Sequence, residues 1–243
     1  MPTQASPLPE YRLADHVRAC LVDGVVVLLD LERGRYIGVG GPLVCALSRA
    51  VGGWPARPST GLPSAPDSEV ERRVDDLRRQ GLLASAATPA SANATCMLPD
   101  ASVYDASASI SSALQWRRIA NLARSSFIAS GWLKHRSLAT ITQTVASMRP
   151  LRHRDDDRLP AEALRDAARW YLRTRPLVMS SRDECLHDSL TLLRFLAAEQ
   201  LHPQWVIGVR MRPFAAHSWV QAGTLVLNDM HEHVRGFTPI LVV

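Results

Sequence analysis

The sequence predicts an α+β protein made of two domains and a linker. Short strand-like runs with tight turns lie near the N-terminus, helical apolar periodicity fills the middle, and a helix followed by β-rich segments lies near the C-terminus. A stretch rich in Ala, Ser, Thr and Pro separates the two patterns, as expected of a flexible linker. We therefore expect one domain at residues 1–84, the linker at 85–112 and a second domain at 113–243.

The charge of the chain is a weak guide to its partners. The net charge is +5 and the pI is about 9.4, almost entirely from arginine, because Lys134 is the only lysine. This balance suits an acidic peptide or a nucleic acid, but the sequence has no dense Lys/Arg run of the kind that marks a DNA-binding face. We expect no nucleic-acid partner.

The cysteines indicate a reducing environment. Cys20, Cys45, Cys96 and Cys185 lie far apart without a Cys-x-x-Cys motif, so neither a disulfide framework nor a zinc site is indicated. The N-terminus lacks the basic and apolar regions of a signal peptide, and no apolar stretch is long enough to span a bilayer. The sequence thus predicts a cytoplasmic protein.

Three strands and a short helix are predicted first. Val17–Val22 and Val25–Asp30 flank Asp23-Gly24, a strong signal for a two-residue hairpin turn, and Arg35–Val39 follows as a third strand. A short helix is expected over residues 42–51, with its proline in the first turn.

A second helix completes the first domain. Ser68 and Glu71 fit a capping box at its start, and Gly81 lies where a helix ends in the left-handed conformation. Three strands followed by helices make a winged-helix-like layout. A DNA-recognition helix would be basic, whereas acidic residues alternate with the arginines here, so a peptide ligand is favoured over DNA.

The second domain is predicted to contain helices followed by antiparallel strands. Helical apolar spacing covers residues 114–148 and Ala161–Leu172, where Trp170 and Tyr171 are expected in the core. A further helix and then a β-rich run at Trp205–Val209 follow.

Cys185 lies at a position that favours a reactive thiol. Apolar residues recur at intervals of three and four after it, and Ser181 and Asp183 are suitable N-caps, so Cys185 is predicted in the first turn of a buried helix. The helix N-terminus lowers the pKa of a thiol, and the backbone N–H of Cys185 can bind a developing oxyanion. A thiolate also needs a base and a group that orients the base.

His217 and Asp229 meet this need on a predicted hairpin. Ala216–Gln221 and Leu225–Asp229 have the pattern of two strands, with Ala222-Gly223 between them as the turn. The imidazole and the carboxylate are equally distant in sequence from the turn glycine, so they should lie nearly opposite one another as cross-strand neighbours. Thiol, imidazole and carboxylate are thus predicted to form one nucleophilic site.

Zinc binding is the chemical alternative in this region. His217, Asp229, His231 and His233 are possible ligands, but their spacing fits no His-Glu-x-x-His motif. Neighbouring residues of a strand alternate faces, so one site would not easily collect all four side chains. We expect no metal.

Four motifs of the C-terminal region occur together: Cys185–Leu190, Ala216–Val220, Leu227–Asp229 and Phe237–Leu241. As a set they resemble the lasso-peptide B proteins, which are transglutaminase-like (papain-like) cysteine peptidases that remove the leader from a ribosomally made precursor peptide. The resemblance covers about the last 130 residues. It implies that Cys185 attacks the peptide carbonyl, that His217 moves the proton and that Asp229 orients the imidazole.

The resemblance also implies a partner. The freed core peptide would be closed into a ring by a separate, ATP-dependent, asparagine-synthetase-like lasso cyclase. The chain has no Gly-x-x-x-x-Gly-Lys-Ser/Thr loop, so we expect no directly bound cofactor and any ATP dependence to act through the cyclase.

The first domain is similar to the peptide chaperone of pyrroloquinoline quinone biosynthesis, whose three-stranded sheet accepts a peptide along its third strand. Such an unpaired edge is a template for β-augmentation. The similarity implies a leader-peptide recognition element in a fused chain. The residues expected at the leader are Tyr36, Ile37, Arg73, Leu77 and Arg78.

Two other functions stay open at the level of sequence. An acyltransferase with the same three residues would join the acyl group to an amine instead of water, and the product mass would distinguish the two reactions. A peptide-binding scaffold with a vestigial site would have an unreactive Cys185.

Overall fold

The computed structural model describes residues 10–56, 65–86, 95–105, 116–149, 161–178 and 185–243. The chain divides into two units, Met1–Asn93 and Ala94–Val243. This division falls inside the predicted linker, at residues whose structure is not described. None of the helices in the described ranges is long and apolar enough to cross a membrane.

The first unit contains two small sheets. Its strands are β1 (Tyr11–Leu13), β2 (Val17–Val22), β3 (Val25–Asp30), β4 (Arg35–Val39), β5 (Val51–Gly52) and β6 (Leu83–Ser85). The antiparallel sheet β2-β3-β4 confirms the three predicted strands. A second sheet, β5-β1-β6, was not predicted, because strands of two or three residues carry too little periodicity to be recognised.

Two helices pack with these sheets. They are α1 (Leu43–Ala50) and α2 (Asp67–Arg79). The predicted capping box of α2 is wrong, because the N-cap is Pro66 and Ser68 lies inside the first turn. Proline fixes φ for helix entry, and the acidic residues of the first turn complement the helix dipole instead. Gly81 does follow the helix end, with φ of 75°, as predicted.

The second unit is a five-stranded sheet with helices. Its elements are β7 (Ala101–Ser102), α3 (Trp116–His135), α4 (Leu138–Ser147), α5 (Ala161–Thr174), α6 (Cys185–Ala197), β8 (Gln204–Met211), β9 (Phe214–Ala222), β10 (Leu225–Val226), α7 (His231–Val234) and β11 (Thr238–Val242). The strand order is β11-β8-β9-β10-β7. The predicted helices and β-rich run are confirmed in type.

Part of the predicted linker belongs to this sheet. Ala101 pairs with Leu225, so β7 runs parallel to β10, and the backbone N–H of Asp100 donates to the carbonyl of Thr224 at 3.1 Å. Val103–Asp105 continues as a turn of 3-10 helix. The Ala- and Ser-rich composition concealed this edge strand, which is only two residues long.

Helix α6 is held in the core of the second unit. It packs against α3, α5 and β9. Phe195 of α6 is fully buried and stacks on Trp170, at 5.4 Å between ring centroids. Trp205 and Trp219 are also buried, and each indole N–H has a partner, Ser218 and Gln221 respectively. Each such aromatic side chain contributes about 2–3 kcal/mol by burial, so these contacts stabilise the packing of α6 in the core.

Candidate active site

Cys185 is the first residue of α6 and is half-buried. Burial raises the pKa of its thiol, but hydrogen bonds from His217 and from the backbone N–H groups of Ser218 and Leu186 outweigh this, so the pKa lies below its usual value. The predicted N-cap residues Ser181 and Asp183 lie outside the described residues. The N–H of Ser218, on the strand that carries the histidine, was not foreseen as a donor to the sulfur.

His217 connects the thiol to a carboxylate. It lies on β9, opposite Gly208 of β8, and its Nε2 is 2.5 Å from Oδ2 of Asp229. Burial lowers the pKa of the imidazole, but the hydrogen bonds to Asp229 and Cys185 outweigh this and raise the pKa to about 9. With Nε2 bonded to the carboxylate, the other ring nitrogen is the one left for the sulfur.

Asp229 reaches His217 from a loop rather than from a strand. The ladder pairs Leu225 with Ala222 and ends at Val226, so the predicted strand to residue 229 is wrong. The backbone N–H of Leu227 still donates to Val220, but the next ladder bond is replaced by a side chain, as described below. The turn comprises Gly223 and Thr224, one residue later than predicted.

Asp229 is ionised by its surroundings. Burial raises the pKa of this carboxyl, but hydrogen bonds from His217, the backbone N–H of Met230 and His233 bring it below the usual value. Met230 donates to Oδ1 at 2.7 Å, and Nδ1 of His233 lies 2.9 Å from Oδ2. Asp229 is therefore bound on both oxygens.

The zinc alternative is limited to three of its four residues. Ligand atoms of His217, Asp229 and His233 lie within 4.8 Å of one another, whereas Nδ1 of His231 is 3.2 Å from Glu232. Two ligands of one tetrahedral zinc, each at about 2.0 Å, are about 3.3 Å apart. The 2.5 Å between His217 and Asp229 is too short for that and fits a hydrogen bond.

A second network of polar residues, not foreseen from sequence, supports the site from within the core. Asp188 lies one helical turn after Cys185 and accepts hydrogen bonds from Tyr171 (2.8 Å), Arg175 (2.9 Å) and Asn228 (2.8 Å). Burial, and to a smaller extent the charge and hydrogen bond of Asp188, raise the pKa of Tyr171 well above its usual value. The hydroxyl of Tyr171 therefore stays a hydrogen-bond donor.

Tyr104 lies beside this network at the surface. Its side chain is half-exposed, and Nη2 of Arg175 is 3.5 Å from its hydroxyl. Burial raises the pKa of this phenol. The charges of Asp188 and Asp229 raise the pKa as well, whereas the charge of Arg175 lowers it. Tyr104 is the only aromatic residue of the predicted linker, which is the one sequence signal that could have marked it.

The predicted leader-binding residues lie in the first unit. Tyr36 and Ile37 are partly buried on β4, whose other edge has no strand partner in the described ranges. Arg73 is partly buried and Arg78 is exposed on α2. Leu77 is fully buried in the core of this unit, so its side chain offers no surface to a ligand.

The class of the second unit follows from comparison with known proteins. Residues 129–242, which include all three residues of the candidate site, match the transglutaminase-like superfamily, so this part of the chain is a transglutaminase-like domain. The microcin J25-processing protein McjB of Escherichia coli is 44% identical to the chain over 48 residues. That segment is 20% of this chain and 23% of McjB, so the similarity spans less than a quarter of either protein. No solved structure matches the chain.

Proposed function

We propose that this protein is a leader peptidase that binds a ribosomally made lasso precursor peptide and hydrolyses the amide bond between leader and core. The observation that carries the proposal is the hydrogen-bonded series Cys185–His217–Asp229, with a thiol pKa below and an imidazole pKa above the usual values. The similarity to a microcin J25-processing protein supports the substrate class.

Acylation uses the thiolate and imidazolium that these pKa shifts favour. The Cys185 sulfur attacks the carbonyl carbon at the end of the leader, and the carbonyl oxygen becomes an oxyanion. His217 donates its proton to the nitrogen of the core as the C–N bond breaks. The core peptide leaves as a free amine, and the leader remains as a thioester on Cys185.

Deacylation returns the site to its starting state. His217, now neutral, takes a proton from water, and the resulting hydroxide attacks the thioester carbonyl. The C–S bond breaks, the leader leaves as a carboxylic acid that loses its proton to solvent, and thiolate and imidazolium are restored. Asp229 keeps the imidazole in one orientation and stabilises its charged form in both steps.

The proposal includes two partners, the leader segment of the precursor and a cyclase. The first unit would bind the leader by strand addition along the edge of β4 that has no strand partner in the described ranges, beside Arg73 and Arg78. The freed core amine would pass to an asparagine-synthetase-like cyclase, through which any ATP dependence would act.

Mass spectrometry of a precursor peptide tests the proposal. A candidate precursor encoded beside this gene is incubated with wild type and with Cys185→Ala, with and without the cyclase. We expect leader release by wild type only, with a gain of one water. Equal cleavage by both proteins would remove Cys185 as nucleophile, and a leader joined to an added amine would identify an acyltransferase. Tight leader binding without cleavage would leave only a peptide-binding scaffold.

A further inference from the structure

The three residues of the candidate site lie on three different elements, and one side chain of the Asp229 loop hydrogen-bonds to the other two elements. Oδ1 of Asn228 accepts the backbone N–H of Val220, on the strand that carries His217, at 2.8 Å. Nδ2 of Asn228 donates to Oδ2 of Asp188 at 2.8 Å and lies 3.2 Å from Oγ of Ser189, both on the helix that begins at Cys185. The next residue in the chain is Asp229.

We call the hydrogen bonds from Asn228 to Val220 and to Asp188 the Asn228 bridge. Its partner on the helix, Asp188, is held in place by further hydrogen bonds. Oδ2 of Asp188, which accepts from Asn228, also accepts from Arg175, and Oδ1 accepts from Tyr171. The side chain of Asp188 is 13% exposed and Asn228 is 8% exposed, so these bonds are shielded from water. Charge-assisted hydrogen bonds of this kind are the strong ones.

Asn228 lies just beyond the point at which strand pairing ends, in the loop that leads to Asp229. Pairing of β9 with β10 ends at Val226, two residues before Asn228. The amide of Asn228 takes the place of a ladder bond to Val220 and at the same time reaches the helix. An asparagine is suited to this because its side chain holds one acceptor and one donor group side by side.

We propose that Asn228 is a positioning residue of the peptidase site. Its side chain couples Asp188 to the strand of His217 and to the loop of Asp229, and in this way sets the distance of Cys185 from His217. This inference rests on the proposed function. Asn228 does not contact the reacting atoms. Its loss separates the nucleophile helix from the histidine strand, and the mutual shift of the thiol and imidazole pKa values is then reduced.

A pair of variants tests the bridge itself. Asn228→Asp keeps the acceptor for Val220 but turns the donor toward Asp188 into a carboxylate oxygen. The exchange variant Asp188→Asn with Asn228→Asp restores one amide and one carboxylate across the gap, and the carboxylate at 228 can accept from Arg175. The matched control is Asn121→Asp, because Nδ2 of Asn121 also donates to α6, at 3.1 Å to the carbonyl of Phe195, far from the site residues in that helix.

The readout is the rate of alkylation of Cys185 by iodoacetamide between pH 5 and pH 10, followed on the peptide that contains this cysteine. A thiolate stabilised by imidazolium reacts below the usual pKa of a thiol, so the rate at pH 6 reports the pairing without any peptide substrate. We expect Asn228→Asp to lower this rate about tenfold, as one pKa unit requires, and the exchange variant to recover most of it. Asn121→Asp should keep the wild-type profile.

Each outcome separates the bridge from the site. A wild-type profile in a folded Asn228→Asp variant overturns the bridge while the proposed site stands. An ordinary thiol profile in wild type overturns the proposed site, and the bridge with it. If Asn228→Asp alone does not fold, the exchange variant decides, and its failure to restore folding and low-pH alkylation overturns the bridge.

Discussion

His217 and His233 both bind Oδ2 of Asp229, and their ring centroids lie 4.8 Å apart. The side chain of His217 is 15% exposed, whereas that of His233 is 48% exposed. The carboxylate is therefore held from the core side by one imidazole and from the solvent side by another. A nucleophilic site needs one histidine, so we propose that the second orients and stabilises the carboxylate.

Removal of His233 should weaken catalysis moderately. His233→Ala deletes one half-exposed hydrogen bond to a charged acceptor, a loss of about 1 kcal/mol, so kcat/KM should fall about fivefold. His217→Ala should lower it by about a thousandfold or more. His231→Ala is the control from the same short helix, because its Nδ1 faces Glu232, and it should keep full activity. A loss in His233→Ala as large as that in His217→Ala would make His233 the proton carrier.

The pH dependence of cleavage should form a plateau that extends to about pH 9. Activity should appear as Cys185 ionises, below the usual pKa of a thiol, and should fall as His217 loses its proton near pH 9. Asp229→Asn removes a hydrogen bond that raises the pKa of His217, so the alkaline limb should move to lower pH and kcat should fall. Single-turnover rates across pH 5 to 10 measure both limbs. A wild-type alkaline limb near pH 6.5 would contradict the proposed pairing.

The same shift has a consequence for stability. The pKa of His217 is about 9 in the folded protein and about 6.5 in the unfolded chain, so protonation favours folding. This contribution is fully present below pH 6.5 and is lost as the pH rises through 9. The free energy of unfolding of wild type minus that of His217→Gln, from urea titrations, should therefore decrease between pH 6.5 and pH 10. A difference that stays constant over this range would show that the imidazole is not protonated in the folded state at neutral pH.

Gly208 lies directly opposite His217 in the sheet, and we expect this position to tolerate no side chain. A Cβ at this position would lie 2.8 Å from ring carbons of Trp219 and 2.9 Å from Cβ of Phe237. We expect Gly208→Ala to lower the free energy of unfolding by about 1–3 kcal/mol and to reduce kcat, since Trp219 and the strand of His217 must shift together. Thermal unfolding and cleavage rates measure the two effects.

Gly131 is the matched control for this substitution. It lies inside α3, and a Cβ there would meet no atom within 4 Å. Gly131→Ala should therefore stabilise the protein by about 0.5–1 kcal/mol through helix propensity and leave kcat unchanged. If both alanines had the same effect on stability, the close approach at Gly208 would not be a constraint on the site.

The parts of the fold that were predictable are those with a local signal. The hairpin of β2 and β3 was predicted to the residue, because Asp23-Gly24 favours one turn type and the flanking segments are rich in valine and leucine. The approach of His217 to Asp229 was also predictable, although Asp229 lies past the end of β10. Register within a hairpin is set by the turn, and an error of one residue still leaves the loop of Asp229 within reach of the histidine.

The supporting residues carried no such signal. Asp188 and Asn228 are 40 positions apart, and the hydrogen bond between them depends on how α6 packs on β9. Nothing in the periodicity of either segment distinguishes them from surface residues. Tyr104 was hidden by composition, because a two-residue strand in an Ala- and Ser-rich stretch has the appearance of a linker. Tertiary polar contacts of this kind have no sequence period.

The proposed leader site in the first unit can be tested separately from the candidate Cys185–His217–Asp229 site. Arg73 is partly buried on the face of α2 that also contains Leu77, whereas Arg72 points about 100° away and its Nε donates to the carbonyl of Ser68. If the leader lies between α2 and β4, Arg73→Glu should weaken leader binding about tenfold, and Arg72→Glu should have little effect. Fluorescence anisotropy with a labelled leader peptide measures the affinity.

The iodoacetamide rate of Cys185 provides the internal control for that experiment. An unchanged rate in both variants shows that the transglutaminase-like domain is intact, so a change in affinity belongs to the first unit. Equal weakening by both variants would indicate a general effect of charge on an acidic leader rather than a bound position. No weakening by either would mean that the leader binds elsewhere, and strand addition to β4 would then lose its support, while the candidate Cys185–His217–Asp229 site would be unaffected.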